Sequence, residues 1–151
     1  MTVKLRTMTA ADVEALTAIE QTCFSDAWSE RMVRDLADSS WDEVLVLEAG
    51  EILGYINYRF IAGEGELMRI AVLPEYRGHG YSKVLMDAMM EAAAKNQITD
   101  LTLEVRAGNE SAIGLYKAYG FAEEAVRKKY YHNPTEDALI MWLRGLPTIP
   151  T

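Results

Sequence analysis

The chain has 151 residues, of which 50% are hydrophobic and 25% charged, a composition typical of one folded domain and not of a disordered chain. Its formal net charge of -8 argues against nucleic-acid binding, which normally needs a basic face, and suits a cationic partner. An acidic balance that serves only solubility is the more general explanation of the same charge.

The single cysteine, Cys23, excludes an intrachain disulfide and is compatible with a reducing cytosol. It lies on the apolar face of a predicted helix with Leu16 and Ile19, which favours a buried structural role over a catalytic thiol. The chain has no run of about 18 apolar residues, and its first residues, M-T-V-K-L-R-T-M-T, contain no long apolar segment. We therefore expect a cytoplasmic protein that is neither secreted nor inserted in a membrane.

The first forty residues predict a strand followed by two helices. Apolar residues alternate over 3–7, which is the period of a half-buried strand. Thr9 can cap the first helix together with Asp12, as in a capping box, and Ser29 can cap the second. The inward face of the second helix is predicted to hold Met32, Val33 and Leu36. Trp28 lies between the helices, where it can act as a hydrophobic plug or as one wall of a substrate groove.

The next part of the chain predicts an antiparallel meander of three strands. Two β-rich runs from Glu43 onward are joined around Gly50, which indicates a hairpin. A second turn at Gly63 leads to a third strand that ends at Val72, and Pro74 prevents its continuation.

Residues 67–83, L-M-R-I-A-V-L-P-E-Y-R-G-H-G-Y-S-K, combine a strand, a glycine-rich basic turn and a helix start. Gly78 and Gly80 have no Cβ atoms, so backbone N–H groups there can face an anion, and the helix start adds donors and the positive end of its dipole. The pattern predicts a phosphate cradle, although an ordinary strand-to-helix connection explains it as often. It is neither a P-loop nor the G-x-G-x-x-G of a dinucleotide fold.

The C-terminal third predicts a strand, a short helix and two last strands. Leu101, Leu103 and Val105 alternate with polar residues, and this strand carries Glu104 near its end. Asn109 can cap the short helix that follows. The last strands are predicted over 121–131 and 138–143.

The complete element order is therefore β α α β β β α β α β β. The strand before the glycine-rich turn and the strand with Glu104 are linked by a helix, so we expect them to be parallel neighbours. Ligands usually bind at the carboxyl ends of such strands. Because we find no repeat or linker, residues 1–146 are predicted to form one domain, and residues 147–151 are expected to fray.

Almost the whole chain resembles the GNAT N-acetyltransferases, which use acetyl-CoA, in its order of elements, and the resemblance is sharpest over residues 67–121. The pyrophosphate signature of that family, Gln or Arg, two residues, Gly, one residue, and Gly or Ala, is met by R-G-H-G-Y-S except that Ser82 replaces the final small residue. The resemblance implies an α/β fold with a mixed, mostly antiparallel seven-stranded sheet flanked by about four helices.

Three segments also resemble a subgroup that acetylates protein N-termini, including the N-terminal alanine of a small-subunit ribosomal protein. They are I-A-V-L-P-E-Y-R-G-H-G, L-E-V-R-A-G-N-E-S-A-I-G-L-Y-K-A-Y-G-F and R-K-K-Y-Y-H-N-P-T-E-D-A-L-I-M. The resemblance implies that Glu104 is the catalytic base and Tyr116 the general acid. It also implies contacts with the cofactor from Ile70, Ala71, Val72, Arg77, Gly78, His79, Gly80, Tyr81, Ser82, Lys83 and Asn109.

The chemistry of these residue types agrees with such a transfer. A peptide α-amino group has a pKa near 8, so a carboxylate at Glu104 can take a proton from it, directly or through water. The competing interpretation is an acid paired with Arg106 on a solvated strand face. Tyr116 can protonate the departing sulfur, or it can be a core aromatic. Asn109 can bind the pantetheine arm, cap its helix, or do both.

The expected ligands are acetyl-CoA and a protein substrate with a free N-terminus, and we name Trp28 and Tyr131 as candidates for its groove. No nucleic acid or membrane partner is expected, and a monomer is favoured. Neither His79 nor His132 is accompanied by other residues in a metal-ligand spacing, so no metal is expected. Two alternatives remain open, an acetyltransferase of the same fold that acts on a small amine or lysine side chain, and a non-catalytic acyl-CoA sensor.

Overall fold

The computed structural model describes residues 2–149, which form one seven-stranded sheet and four α-helices in the predicted order. Two short 3-10 turns, Ala10–Asp12 and Pro74–Tyr76, are added to that order. The elements are β1 Lys4–Thr7, α1 Val13–Cys23, α2 Glu30–Asp38, β2 Asp42–Ala49, β3 Glu51–Ile61, β4 Glu64–Val72, α3 Tyr81–Lys95, β5 Asp100–Arg106, α4 Glu110–Ala118, β6 Ala122–Tyr131 and β7 Glu136–Leu143. Among the residues described, no helix is long and apolar enough to cross a bilayer.

The strand order in the sheet is β1-β2-β3-β4-β5-β7-β6, and it contains both parallel and antiparallel pairs. The predicted α/β class and the mixed seven-stranded sheet are therefore confirmed. The chain packs as two compact units, the first holding the residues up to Arg59 and Met68–Glu91, the second Phe60–Leu67 and the residues from Ala92 onward. A single functional domain over 1–146 stays a prediction.

The first unit packs α1 and α2 against strands β2 and β3. Its buried cluster consists of Met8, Val13, Leu16, Ile19, Val33, Val44, Val46, Tyr55 and Ala71. The hydroxyl of Ser29 accepts a hydrogen bond from the Met32 backbone N–H at 3.2 Å, which confirms the predicted cap.

The predicted inward face of α2 was wrong at one position. Met32 is 49% exposed, whereas Val33 is fully buried and Leu36 packs against the buried cluster. A helix of nine residues buries only a narrow stripe, and the pair Val33 and Leu36 at i, i+3 spacing already occupies it, so Met32 falls outside.

The second unit joins the start of β4 to β5 in parallel, with four residue pairs from Glu64 and Asp100 to Leu67 and Leu103. The predicted parallel neighbours are therefore confirmed. Strand β5 also pairs antiparallel with β7, and β7 pairs antiparallel with β6, so β6 is an edge strand and almost entirely exposed.

The C-terminal segment is hydrogen-bonded to the second unit up to Ile149, the last residue that the structure describes. The Ile149 backbone N–H donates to the carbonyl of Ala94 at 3.1 Å. Pro150 and Thr151, which belong to the tail predicted over 147–151, lie outside the described residues, and fraying of that tail stays a prediction.

Candidate active site

In the first unit, the glycine-rich turn between β4 and α3 has the backbone that an anion site needs. Gly78 and Gly80 adopt φ angles of 85° and 80°, in the left-handed region that glycine tolerates best. No heavy atom lies within 4 Å of the position that a Cβ would take at either glycine, so the backbone there borders open space.

The helix α3 starts directly after this turn. Its first ladder bond runs from the Val84 N–H to the Gly80 carbonyl at 3.2 Å. The N–H groups of Tyr81 and Ser82 precede that bond, at the positions where a helix supplies no acceptor four residues earlier. Together with the helix dipole, they give the turn the donors and the positive potential that suit the pyrophosphate of a CoA molecule.

Arg77 braces the turn against the end of β4. Its Nε atom donates to the Val72 carbonyl at 2.9 Å, and its Nη2 lies 3.6 Å from the Cys23 sulfur. Burial raises the pKa of the Cys23 thiol, which keeps the thiol protonated at neutral pH. Cys23 packs against the buried cluster, as expected of a structural residue, but it is half-buried and not buried as predicted, because it is the last residue of α1.

The other predicted cofactor residues of the first unit lie on β4 and in the turn. Ala71 and Val72 are buried, and Ile70 is half-buried. The rings of His79 and Tyr81 are 5.8 Å apart and tilted, so the two side chains lie side by side where the turn enters α3. Their role in binding acetyl-CoA stays a prediction.

In the second unit, Glu104 is a partly open carboxylate between two buried residues of β5. Its side chain keeps 24% of its surface exposed, whereas Leu103 and Val105 on the opposite face are buried. The Arg127 Nη2 atom lies 3.8 Å from its Oε1, and the same guanidinium lies 5.5 Å from the Tyr130 ring centre, which places Tyr130 near the carboxylate. The carboxylate is thus solvated and anchored at once, as a general base requires.

The sheet register explains how β6 reaches Glu104 across β7. Glu104 and Ala125 are both opposite Ile140, so the three residues form one row on one face of the sheet. Arg127 lies two residues beyond Ala125 and therefore points from the same face. Its long side chain spans the remaining distance.

Tyr130 was missed by the sequence analysis, which named only its neighbour Tyr131. Between Arg127 and Tyr131 the β6 register shifts by two residues, and Lys129 within this bulge has a φ of 52°. Such a bulge changes the direction of side chains in a way that strand alternation does not reveal. The hydrogen bond to Glu104, followed by its charge, raises the pKa of Tyr130, so the hydroxyl remains a donor at neutral pH. The paired tyrosines were the only available signal.

Tyr116 and Asn109 lie on α4 of the same unit. Tyr116 is 7% exposed and its ring meets Phe121 edge to face, with centroids 6.1 Å apart. The Asn109 Oδ1 atom accepts from the Ala112 N–H at 3.2 Å, which confirms the capping role. A catalytic role for Tyr116 and a cofactor contact for Asn109 stay predictions.

The two groove candidates belong to different units. Trp28 packs against the buried cluster of the first unit, and its ring lies 4.6 Å from the Arg69 guanidinium, as expected of a plug. Tyr131 lies in the second unit, 5.1 Å from the Tyr130 ring and 4.5 Å from the Arg106 guanidinium. The second unit therefore brings Tyr131 together with Tyr130, which in turn contacts Glu104.

The mixed sheet, with a glycine-rich turn between β4 and α3, defines the class of acyl-CoA N-acyltransferases. Residues 13–121 match the model of the Acetyltransferase (GNAT) family, and the chain belongs to this family. It is an acetyl-CoA-dependent N-acetyltransferase.

Named relatives cover nearly the whole chain. The ribosomal protein bS18-alanine N-acetyltransferase of Haemophilus influenzae is 33% identical over 135 residues, which are 87% of this chain and 92% of the relative. The enzyme of the same name from Escherichia coli (strain K12) is 31% identical over 143 residues, or 92% and 95% of the two chains. The crystal structure of the ribosomal-protein-S18-alanine N-acetyltransferase from Escherichia coli superimposes with a TM-score of 0.89 at 28% identity, covering 99% of this chain and 97% of that one.

Proposed function

We propose that this chain is an N-terminal protein acetyltransferase of the RimI type. It transfers the acetyl group of acetyl-CoA to the free α-amino group of a protein, and the acceptor is the N-terminal alanine of a small-subunit ribosomal protein. The relatives from Haemophilus influenzae and Escherichia coli carry this activity in their names. The single observation that carries the proposal is the partly open Glu104 carboxylate, which lies 3.8 Å from Arg127 and raises the pKa of Tyr130.

The proposed role of Glu104 follows from the acceptor's chemistry. An amine attacks a thioester only when it is neutral, and a terminal α-amino group is partly protonated at neutral pH. Glu104 accepts the proton that the amine must lose, directly or through a water molecule. Its 24% exposure leaves room for the amine, and Arg127, 3.8 Å from its Oε1, holds the carboxylate in place.

The proposed role of Tyr116 is to return a proton to the departing thiolate. A phenol remains protonated at neutral pH and is therefore available as a donor. Because the single cysteine, Cys23, belongs to the first unit, the proposed transfer is direct and forms no acyl-enzyme. Arg77 and the N–H groups at the start of α3 would hold the pyrophosphate.

The proposal also specifies the partners and the compartment. The substrate is a ribosomal protein with a free N-terminus, so the proposed compartment is the cytoplasm. The enzyme is further proposed to act as a monomer and without a metal. No three His, Cys, Asp or Glu side chains of the described chain gather as a metal-binding group would require.

The test uses the purified protein, acetyl-CoA and three peptides, with acetyl addition followed by mass spectrometry. One peptide begins with a free alanine, the second has a blocked N-terminus and internal lysines, and the third begins with a different residue. We expect acetylation of the free N-termini, with alanine preferred. Modification of the blocked lysine peptide alone would identify a lysine acetyltransferase and refute the proposal.

The catalytic assignments need a separate measurement. Tyr116→Phe keeps the ring that packs on Phe121 and removes only the hydroxyl, so we expect kcat to fall about tenfold or more with little change in melting temperature. CoA binding without transfer to any acceptor would instead point to an acyl-CoA sensor.

A further inference from the structure

A cluster around Arg106 and Glu136 in the second unit holds the loop between β6 and β7, here called the β6–β7 loop, residues 132–135. The two nitrogens Nη1 and Nη2 of Arg106 donate to the carbonyls of Pro134 and His132 at 3.0 and 2.9 Å. The Arg106 Nη1 atom also lies 3.4 Å from the Glu136 Oε1. The arginine therefore binds the loop backbone and the first residue of β7 at once.

Glu136 uses its other oxygen to extend the cluster. The backbone N–H of Gly108, just beyond β5, donates to the Glu136 Oε2. A Cβ on Gly108 would lie 2.5 Å from the same oxygen, so only glycine allows this approach. Glu136 thus ties the end of β5 to the start of β7.

The cluster continues to Glu104 through two aromatic rings. The Arg106 guanidinium lies 4.5 Å from the Tyr131 ring centre, and the Tyr131 ring meets the Tyr130 ring edge to face at 5.1 Å. Tyr130 lies next to Glu104, because the Arg127 guanidinium is 5.5 Å from the Tyr130 ring centre and its Nη2 atom is 3.8 Å from the Glu104 Oε1. A continuous line of contacts therefore runs from Glu136 to the proposed base.

We propose that Arg106 and Glu136 are positioning residues that hold Tyr131 and the Tyr130 hydroxyl beside Glu104, and so set the affinity for the protein substrate. This inference rests on the proposed function, because it assigns the acceptor's N-terminus to the surface next to Glu104. Neither residue contacts the reacting atoms. Their side chains, 17% and 25% exposed, act through the loop and the two tyrosines.

A second arginine in the same unit offers a matched control. Arg144 makes two hydrogen bonds to Glu124, at 2.9 and 2.8 Å, and its guanidinium lies 4.1 Å from the Trp142 ring. It has the same kinds of partner as Arg106, a glutamate and an aromatic ring, but it lies beyond the opposite end of β7. A variant of Arg144 removes an arginine–glutamate pair and a ring contact without touching the β6–β7 loop.

The experiment compares Arg106→Met and Glu136→Gln with Arg144→Met, using acetyl-CoA and a peptide that begins with a free alanine. We expect the first two to raise the KM for the peptide about tenfold and to leave the KM for acetyl-CoA unchanged. Arg106→Lys keeps the charge but not the planar fork, so it should restore only part of the peptide affinity. Arg144→Met should change neither KM.

The outcomes separate this inference from the function on which it rests. A wild-type protein that acetylates no peptide would overturn both. A wild-type protein that is active, with Arg106→Met behaving like Arg144→Met or raising both KM values equally, would overturn the positioning role alone. If Arg106→Met does not fold, Gly108→Ala replaces it, because the added Cβ displaces the Glu136 carboxylate without removing a charge, and a normal peptide KM in that variant would contradict the proposal.

Discussion

Each compact unit brings a glutamate, an arginine and a tyrosine together, and the two clusters differ in their exposure. In the first unit, Glu20 is fully buried and its carboxylate accepts from the Arg69 guanidinium at 2.7 Å and from the Tyr55 hydroxyl. The same carboxylate accepts from the Trp28 backbone N–H at 2.9 Å. Arg69 stacks on the Phe24 ring at 3.7 Å. This cluster is sealed and its carboxylate oxygens are fully engaged.

In the second unit the corresponding groups lie at the surface. Glu104, Arg127 and Tyr130 are all partly exposed, and the ion pair spans 3.8 Å. An ion pair that is open to water contributes little to stability, since solvent screens it. The carboxylate therefore stays accessible to a substrate.

The comparison shows that burial, and not residue type, separates a structural cluster from a candidate catalytic one. A sealed ion pair must satisfy every polar atom that it removes from water. Glu20 does so by connecting α1, β3 and β4 to the segment that carries Trp28. Glu104 is partly exposed, so water can satisfy its carboxylate oxygens and the side chain can exchange hydrogen-bond partners.

The largest effect is expected from breaking the sealed cluster. Glu20→Leu leaves the Arg69 charge buried without its counter-ion, and we expect a loss of about 3–5 kcal/mol in the free energy of unfolding. Urea unfolding measures it. The double variant Glu20→Leu with Arg69→Met should lose less than Glu20→Leu alone, because no charge remains buried. Equal losses in the two variants would show that the ion pair is not the main contribution.

The next largest effect is expected from the open carboxylate. Glu104→Gln removes the proposed base and should lower kcat about 100-fold, while the free energy of unfolding changes by less than about 0.5 kcal/mol. Steady-state acetylation and urea unfolding test the two parts. Glu123→Gln on β6, which loses only an exposed pair with Lys117, is the control and should keep its activity. Normal activity in Glu104→Gln would exclude Glu104 as the base.

The two tyrosines should separate stability from activity. Tyr55→Phe removes one donor from the buried Glu20 Oε2 atom, which keeps only the Arg69 Nε donor at 3.0 Å, so we expect a loss of about 1–3 kcal/mol in unfolding free energy and little change in kcat/KM per folded molecule. Tyr130→Phe should lower kcat/KM for the peptide about tenfold with almost no loss of stability. If both variants lost stability but kept their activity, the distinction between the two clusters would be wrong.

The smallest effect concerns alkaline pH. Burial, followed by the charge of Glu20, raises the pKa of Tyr55 above its ordinary 10.0. Because the folded-state pKa is the higher one, the contribution of the protonated Tyr55 to the free energy of unfolding is complete below pH 10. It is lost as the pH rises through the folded-state pKa. Wild-type unfolding free energy should therefore fall above about pH 10, and Tyr55→Phe should fall less steeply. Unfolding by urea from about pH 9 to pH 11 measures both slopes. Parallel slopes would contradict the assignment.

Local signals in the sequence determined the elements and their limits. The caps at Ser29 and Asn109 involve hydrogen bonds to backbone atoms three residues away, so the sequence pattern contains both partners. The alternation around Glu104 likewise predicted that Leu103 and Val105 are buried while the carboxylate lies on the other face. A helical connection between two strands was enough to predict the parallel pair of β4 and β5.

Tertiary structure alone decided which distant residues meet. Glu20 and Arg69 are 49 positions apart, and nothing in their local patterns distinguishes this pair from the other charges of the chain. The insertion of β7 between β5 and β6, and the bulge that turns Tyr130 toward Glu104, depend on strand pairing over long separations. Local sequence sets backbone conformation, whereas these partners are selected by the packing of the whole sheet, and they determine which carboxylate is sealed and which is open.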